Sequence, residues 1–301
     1  MSTNENSIFT KKQFVVLFAL LAMFAWGCAY PFIKLGMIEW GIASHDAGGK
    51  MLFAGVRFTI AGLLTFIIAK GKGQPILEKQ PGNLGWLFLL GLVNTALHYF
   101  CFYTGLSNCE GGKASIINSF SPFLLMLLAF VIFREKMTRN KGIGIVLGII
   151  GIIVVNFGTQ LGGFAWNGEG MILLNCVCSA FGGILTRVVT KKVMPITATA
   201  YSLALGGLML IAAGLVCGGR LNRVTGAGVL LLIGLIAISM VGFIVYNQLI
   251  TYNPITEIAM FNALIPVFGT LMSCLMLKEA FGIQNLFGLL FMGAGIYILQ
   301  K

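Results

Sequence analysis

Two histidines, nine carboxylates and seven cysteines bound the chemistry open to this chain of 301 residues. His45 and His98 belong to no His-Glu pair, and no ATP-binding loop is present. A nucleophile with its base, or a set of metal ligands, is therefore missing, which argues against an enzyme. Cysteines 28, 101, 109, 176, 178, 217 and 274 lie mostly in apolar runs without metal-ligand spacing. They read as small buried thiols, so neither metal nor cofactor is expected. Glu5, Glu39, Asp46, Glu78, Glu110, Glu135, Glu169, Glu257 and Glu279 all fall in tails, loops or the ends of apolar stretches. None is placed to relay protons at mid-membrane or to neutralise a cationic cargo there. Uncharged, zwitterionic or weakly anionic cargo fits better than hydrophobic cations.

What remains is binding chemistry. His98 in "NTALHYFCFY" is read as the one ionisable group well inside an apolar stretch. Asn94, His98 and Phe102 follow one another at i, i+4 spacing and so share a helix face. Packing by a hydrogen-bonded His is the plain reading; a neutral, hydrogen-bonding cavity residue is the sharper one, and polar groups in membranes usually face a bundle interior. Trp26, Tyr30 and Lys34 form a second stripe at the same spacing. Rings with polar tips suit an amphipathic organic ligand, although such residues also form interfacial belts. Lys34 is expected to snorkel to the headgroups. Asn175, Ser179, Tyr246 and Asn247 are further cavity candidates.

The elements that position these groups follow from composition. Charged residues are 10% of the chain and hydrophobic residues 58%, whereas soluble domains carry ~25% charged residues. A lipid bilayer is the implied partner. The +11 net charge is scattered through short loops without a basic patch, so no nucleic-acid partner is expected. Ten apolar stretches approach the ~20 residues that cross a bilayer. They lie at about 13–38, 50–69, 84–106, 114–133, 142–160, 169–188, 195–217, 227–249, 256–277 and 282–300. Helix is the default for each, because every backbone group must be paired within the segment. The first continues past Cys28 as a full span with Trp26 beside the candidate cleavage site, so it reads as a span and not as a signal peptide.

One segment is written twice. "NSFSPFLLMLLAFVIFREK" (118–136) returns 144 positions later as "NALIPVFGTLMSCLMLKEA" (262–280), pairing Asn118 with Asn262, Pro122 with Pro266 and Glu135 with Glu279. The stretch 20–36 likewise aligns with 173–189. Each half then holds five spans, and an odd number inserts the halves in opposite directions. The expected fold is an all-α integral membrane protein of ten transmembrane helices in two inverted five-helix repeats, 1–160 and 161–301. That is the architecture of many secondary transporters, with a central site that alternates between the two faces. Thirteen of the twenty basic residues fall in the N-tail, in alternate loops or at the C-terminus, which places both termini in the cytoplasm.

Asn118 and Asn262 occupy equivalent depths across the pseudo-two-fold axis. They contact either substrate or a neighbouring helix where the halves meet. Pro31, Pro122 and Pro266 remove an N–H each and can loosen or kink their helices. Glu135 and Glu279 stand just before spans five and ten, as capping carboxylates there or as gate-stabilising ion pairs. Glycines in "GIGIVLGIIG" (142–151) and "GLLFMGAG" (288–295) make spans five and ten packing or dimerisation helices.

"WGCAYPFIK" in span one, "VRF" (56–58) in span two, "FYTGLSNCEGGKASII" (102–117) and the "REK"/"KEA" ends resemble the bacterial EamA-type proteins of the drug/metabolite transporter superfamily. The resemblance covers nearly the whole chain. It implies a cavity lined by spans one, three, four, six, eight and nine, and efflux of small metabolites across the bacterial plasma membrane. A monomer or homodimer is expected. The second half departs from the pattern, since no basic-aromatic pair like Arg57-Phe58 opens span seven.

Overall fold

Among the described residues each apolar stretch contains a helix, as backbone pairing in lipid demands. A computed structural model describes residues 8–109, 114, 117–155, 164–278 and 283–299, and of Val155, Gln284, Asn285 and Leu299 only the backbone. Among the described residues ten helices follow one another: α1 (Lys12–Glu39), α2 (Ala47–Gly71), α3 (Pro81–Asn108), α4 (Ser121–Phe133), α5 (Arg139–Val155), α6 (Trp166–Val189), α7 (Pro195–Val216), α8 (Gly226–Tyr252), α9 (Ile255–Leu277) and α10 (Ile283–Leu299). Seven of these, α1 to α3 and α6 to α9, are long and apolar enough to cross a membrane. At 13 residues α4 rises only about 20 Å, less than the ~30 Å hydrocarbon core.

Side-chain bonds between helix termini define two ends of the bundle. At the proximal end, Asn253 donates to the Phe9 carbonyl at 2.9 Å and Gln74 accepts from Ile196 N–H at 3.1 Å. The distal end joins Thr225 to Glu39 at 2.6 Å and Lys50 to Ser107 at 3.0 Å. Successive helices therefore run in alternating directions between the two ends.

Small residues set the closest helix approaches. A Cβ on Gly55 of α2 would lie 2.7 Å from Ile211 N of α7, and one on Gly214 of α7 would lie 2.8 Å from Gly48 O. Between α5 and α10, a Cβ on Gly151 would meet Met292 Cγ at 2.7 Å and one on Gly295 would meet Gly144 O at 2.8 Å. The two glycine-rich helices thus pack on each other, as their sequences imply.

The written-twice segment folds the same way twice. Ser121–Phe133 and Ile265–Leu277 are both 13-residue helices with proline in the first turn, and both end on a left-handed residue, Arg134 (φ 52°) and Lys278 (φ 56°). Left-handed lysine and arginine are uncommon, so their recurrence at matched positions is informative. The two prolines stand at the start of matched 13-residue helical segments. Pro122 sits in the first turn of its helix, where a missing N–H costs nothing, and Pro266 follows a 3₁₀ turn, Met260–Leu264. Pro31 is different again: α1 runs through it as one uninterrupted helix.

Candidate functional site

A cavity of about 520 Å³ lies among α1, α2, α3, α4, α6, α8 and α9. On α1 its wall runs from Trp26 to Met37, on α3 from His98 to Leu106 and on α9 from Asn262 to Ser273. Each of these runs lies in the distal part of its helix. On α6 and α8 the lining residues Ser179, Gly183, Phe243 and Tyr246 lie past the helix midpoints toward the proximal end, so the cavity occupies the middle of the bundle and reaches distally along α1, α3 and α9. Its proximal floor is solid core: Val15, Ala19, Met23, Leu249, Ile258 and Phe261 pack there as one buried cluster.

Most of the expected residues meet in this space. Trp26, Tyr30, His98, Phe102, Asn118, Ser179, Tyr246 and Asn262 all line it, with Pro122 and Pro266. The aromatic wall is continuous: Trp26 contacts Phe243 and Tyr246 at centroid distances of 5.4 and 5.0 Å, and His98 stacks on Tyr99 at 4.5 Å and 5°. Trp26 fits because Gly242 has no side chain; a Cβ there would lie 2.8 Å from Trp26 Cδ1. The paired asparagines both face the cavity but have unlike partners. Asn118 accepts from Asn175 Nδ2 at 2.6 Å, whereas Asn262 donates to the Tyr246 hydroxyl at 3.0 Å.

Five expectations need correction. Asn247 is buried and donates to the Thr199 hydroxyl at 2.9 Å without lining the cavity. Asn94 does not share the His98 face. Residues Gly91–Leu97 form a π-helical stretch, whose wider turn breaks the i, i+4 register that would stack Asn94 beneath His98. Asn94 instead lies against α6, where a Cβ on Gly182 would come 2.9 Å from its Cα. Asn175 is fully buried behind Asn118 and supports it without lining the cavity. Lys34 lines the cavity and is not simply a headgroup anchor. Pro31 is buried inside α1 and does not line the cavity.

Glu135 caps a helix, but a distant one. Its carboxylate accepts from Ile255 N–H at 2.8 Å, Thr256 N–H at 3.0 Å and the Thr256 hydroxyl at 2.7 Å, so it closes the start of α9. The start of α5 is served by Thr138, which accepts from Lys141 N–H at 3.3 Å. Lys141 adds an ion pair with Glu257 at 3.1 Å, and Arg187 donates to the carbonyls of Ile250 and Asn253. These contacts tie the proximal ends of α4, α5, α6, α8 and α9 together. Glu279 lies outside the described residues.

Arg57, Tyr99 and Tyr103 were not foreseen as site residues. Arg57 belongs to the interior of α2 and is 2% exposed; His98 is therefore not the lone ionisable group inside a span. Its intramembrane charge in "VRF" was the available signal. Among the described lining residues are Arg57 and Lys34 but no carboxylate. No group of three or more potential metal ligands occurs among the described residues.

The sequence matches the EamA-like transporter family twice, over residues 13–157 and again over 166–300. It is 25% identical over 309 residues to an uncharacterized transporter of Synechocystis sp., sll0355, covering 92% of this chain and 87% of that one. The uncharacterized inner membrane transporter YedA of Escherichia coli is 29% identical over 250 residues, 79% of this chain and 76% of YedA. A solved crystal structure of a protein 16% identical to this chain superposes with a TM-score of 0.77, over 94% of this chain and 96% of the other. At that identity the likeness concerns the fold alone.

Proposed function

The chain belongs to the EamA-like transporter family, and from that premise we propose that it is a secondary transporter exporting small uncharged or zwitterionic metabolites, amino acids or similar compounds, across the plasma membrane by alternating access. The observation that carries this reading is the cavity itself: polar and aromatic side chains from seven helices line it, and its proximal side is packed and bonded shut. An alternating carrier needs such a state and its mirror image.

The inverted repeat supplies the mirror. Two family matches divide the chain near residue 160, and the duplicated segment repeats its proline and its left-handed end in both halves. Five helices per half, with the N-terminus in the cytoplasm, return the C-terminus to the same side. An uncoupled facilitator or an uptake carrier is the second reading, favoured by the absence of any carboxylate among the described lining residues that would take up a coupling proton or ion. A non-transporting sensor or assembly subunit would have no use for a cavity of this size.

Counterflow in proteoliposomes tests the proposal. A thermal-shift screen against amino acids, nucleosides and sugars first selects cargo. Exchange of labelled cargo against an internal pool is then expected. Stabilisation by a cargo that never exchanges would sink the transporter reading.

A further inference from the structure

Arg57 is a charged group in the middle of a membrane-spanning helix, where such residues mark pathways and usually have a counter-charge. No described carboxylate supplies one. Its only hydrogen bond to a described residue runs from Nε to Ser239 Oγ of α8, at 2.7 Å. Ser239 donates its own proton to the Leu235 carbonyl at 2.8 Å, so its oxygen is turned to accept from Arg57. The guanidinium also lies over the Phe58 ring, 4.5 Å from the centroid, which fixes its plane. With Nε engaged, the end-on edge bearing Nη1 and Nη2 is left to bind something else. Nη1 is buried without a hydrogen-bond partner among the described residues.

A second donor on the same wall shares that condition. The Tyr103 hydroxyl is buried without a partner among the described residues, and Tyr103 lines the cavity, whereas Trp26 Nε1 is packed against Gly242 of α8. A guanidinium can only donate and a phenol donates readily; an ionised carboxylate only accepts. The planar fork of arginine matches a carboxylate in two parallel bonds. Around it stand Tyr99, Phe102 and Phe243, backed by the buried Phe58, an apolar wall suited to a ring or branched hydrocarbon.

We propose that Arg57 is the anion anchor of the cavity and that the cargo is of the zwitterionic, carboxylate-bearing class, with an apolar, preferentially planar body, and not of the uncharged one. This rests on the reading of the cavity as a cargo site. Ser239 is a positioning residue for the guanidinium, and the Tyr103 hydroxyl is a second donor to the same head group. Were Arg57 only a tie between α2 and α8, the cavity would show no preference among head groups.

A matched series of probes decides it: 3-phenylpropionate, 3-phenylpropanamide and 3-phenylpropylammonium share one body and differ in the head group. Calorimetric titration of the purified full-length protein in detergent is expected to give about tenfold tighter binding of the carboxylate than of the amide, with the ammonium weakest. Arg57→Gln is expected to bring carboxylate and amide within about twofold, Arg57→Lys to keep part of the preference, and Ser239→Ala to weaken it. Equal binding of carboxylate and amide by the wild type overturns the proposal, as does failure of the carboxylate to bind at about 10 mM. The wild-type comparison stands even where Arg57→Gln does not fold. A preference that survives Arg57→Gln but disappears in Lys34→Gln also overturns it, by moving the anchor to Lys34. Counterflow separates this idea from the transporter reading. Carboxylate-selective binding without exchange rejects transport and leaves the anchor standing, whereas exchange of cargo indifferent to the head group does the reverse.

Discussion

Glu135 and Thr256 are joined twice: the Thr256 backbone N–H and its hydroxyl both donate to Glu135 Oε2, at 3.0 and 2.7 Å. Through this contact the end of α4 holds the start of α9 although 121 residues separate them. If the floor of the cavity opens during transport, this is a contact that must break. Each charge-assisted hydrogen bond here is worth about 1.5–3 kcal/mol when its partner is removed. Glu135→Ala is therefore expected to favour opening of the proximal end. A cysteine replacing the buried Ile258, in a background without other cysteines, reports it: labelling by a membrane-impermeant maleimide should accelerate about tenfold or more in the Glu135→Ala protein. An unchanged labelling rate would make Glu135 a static cap.

The topology has its own test. Cysteines introduced at positions 136 and 280, which end the two copies of the repeated segment, are expected to label from opposite sides of the membrane. Five spans lie between matched positions, and an odd number reverses direction. Labelling of both from the cytoplasm would remove the inverted repeat.

Helix positions were legible because hydropathy sets them; the site was legible only where polar groups announce themselves in an apolar run. Asn118, Asn262 and His98 were found that way. Arg57 was placed inside span two by "VRF" but used only as a mark of the family resemblance, so its buried charge was not carried to the cavity. Tyr99 and Tyr103 are hidden in "YFCFY" (99–103), where aromatic residues stand on every side of the helix and composition does not say which face the cavity. Asn94 was misplaced because periodicity assumes 3.6 residues per turn, and a π stretch does not announce itself in composition. The partner of Glu135 lies in the other half of the chain, and no local pattern points to it.

Asn118 and Asn175 form a buried amide pair, and the pair predicts a non-additive double mutant. Asn118→Leu leaves the Asn175 amide buried and unpaired, at a cost of about 1–3 kcal/mol. Replacing both with leucine removes the orphaned group and is expected to recover part of that loss in a thermal unfolding series. Transport should stay impaired in both proteins, since Asn118 lines the cavity. Wild-type rates in Asn118→Leu and Asn262→Leu alike would reduce the repeated segment to packing.

Asn94 and His98 now separate cleanly. Asn94 faces α6 and α7, where its Nδ2 lies 3.4 Å from Ser202 Oγ, so Asn94→Ala is expected to lower stability and leave cargo affinity unchanged. Binding of the selected cargo, measured beside the unfolding temperature, checks this. A change in affinity without a change in stability would return Asn94 to the cavity.

His98 lines the cavity with its ring flat against Tyr99. An imidazole acting there as a neutral hydrogen-bonding group can be replaced by an amide, which is also planar and both donates and accepts. His98→Gln is therefore expected to keep substantial transport, and His98→Leu, which offers neither a plane nor a polar atom, to lose it by about tenfold or more. A proton-driven cycle through His98 demands a different pattern. Glutamine would then fail as completely as leucine, and wild-type exchange would change steeply with pH on one side of the membrane, because imidazole is the side chain that titrates near neutrality. Counterflow at pH 6 and pH 8 with the three proteins distinguishes these patterns. Full activity of His98→Leu would make the histidine a packing residue and leave Arg57 as the principal polar contact of the cavity.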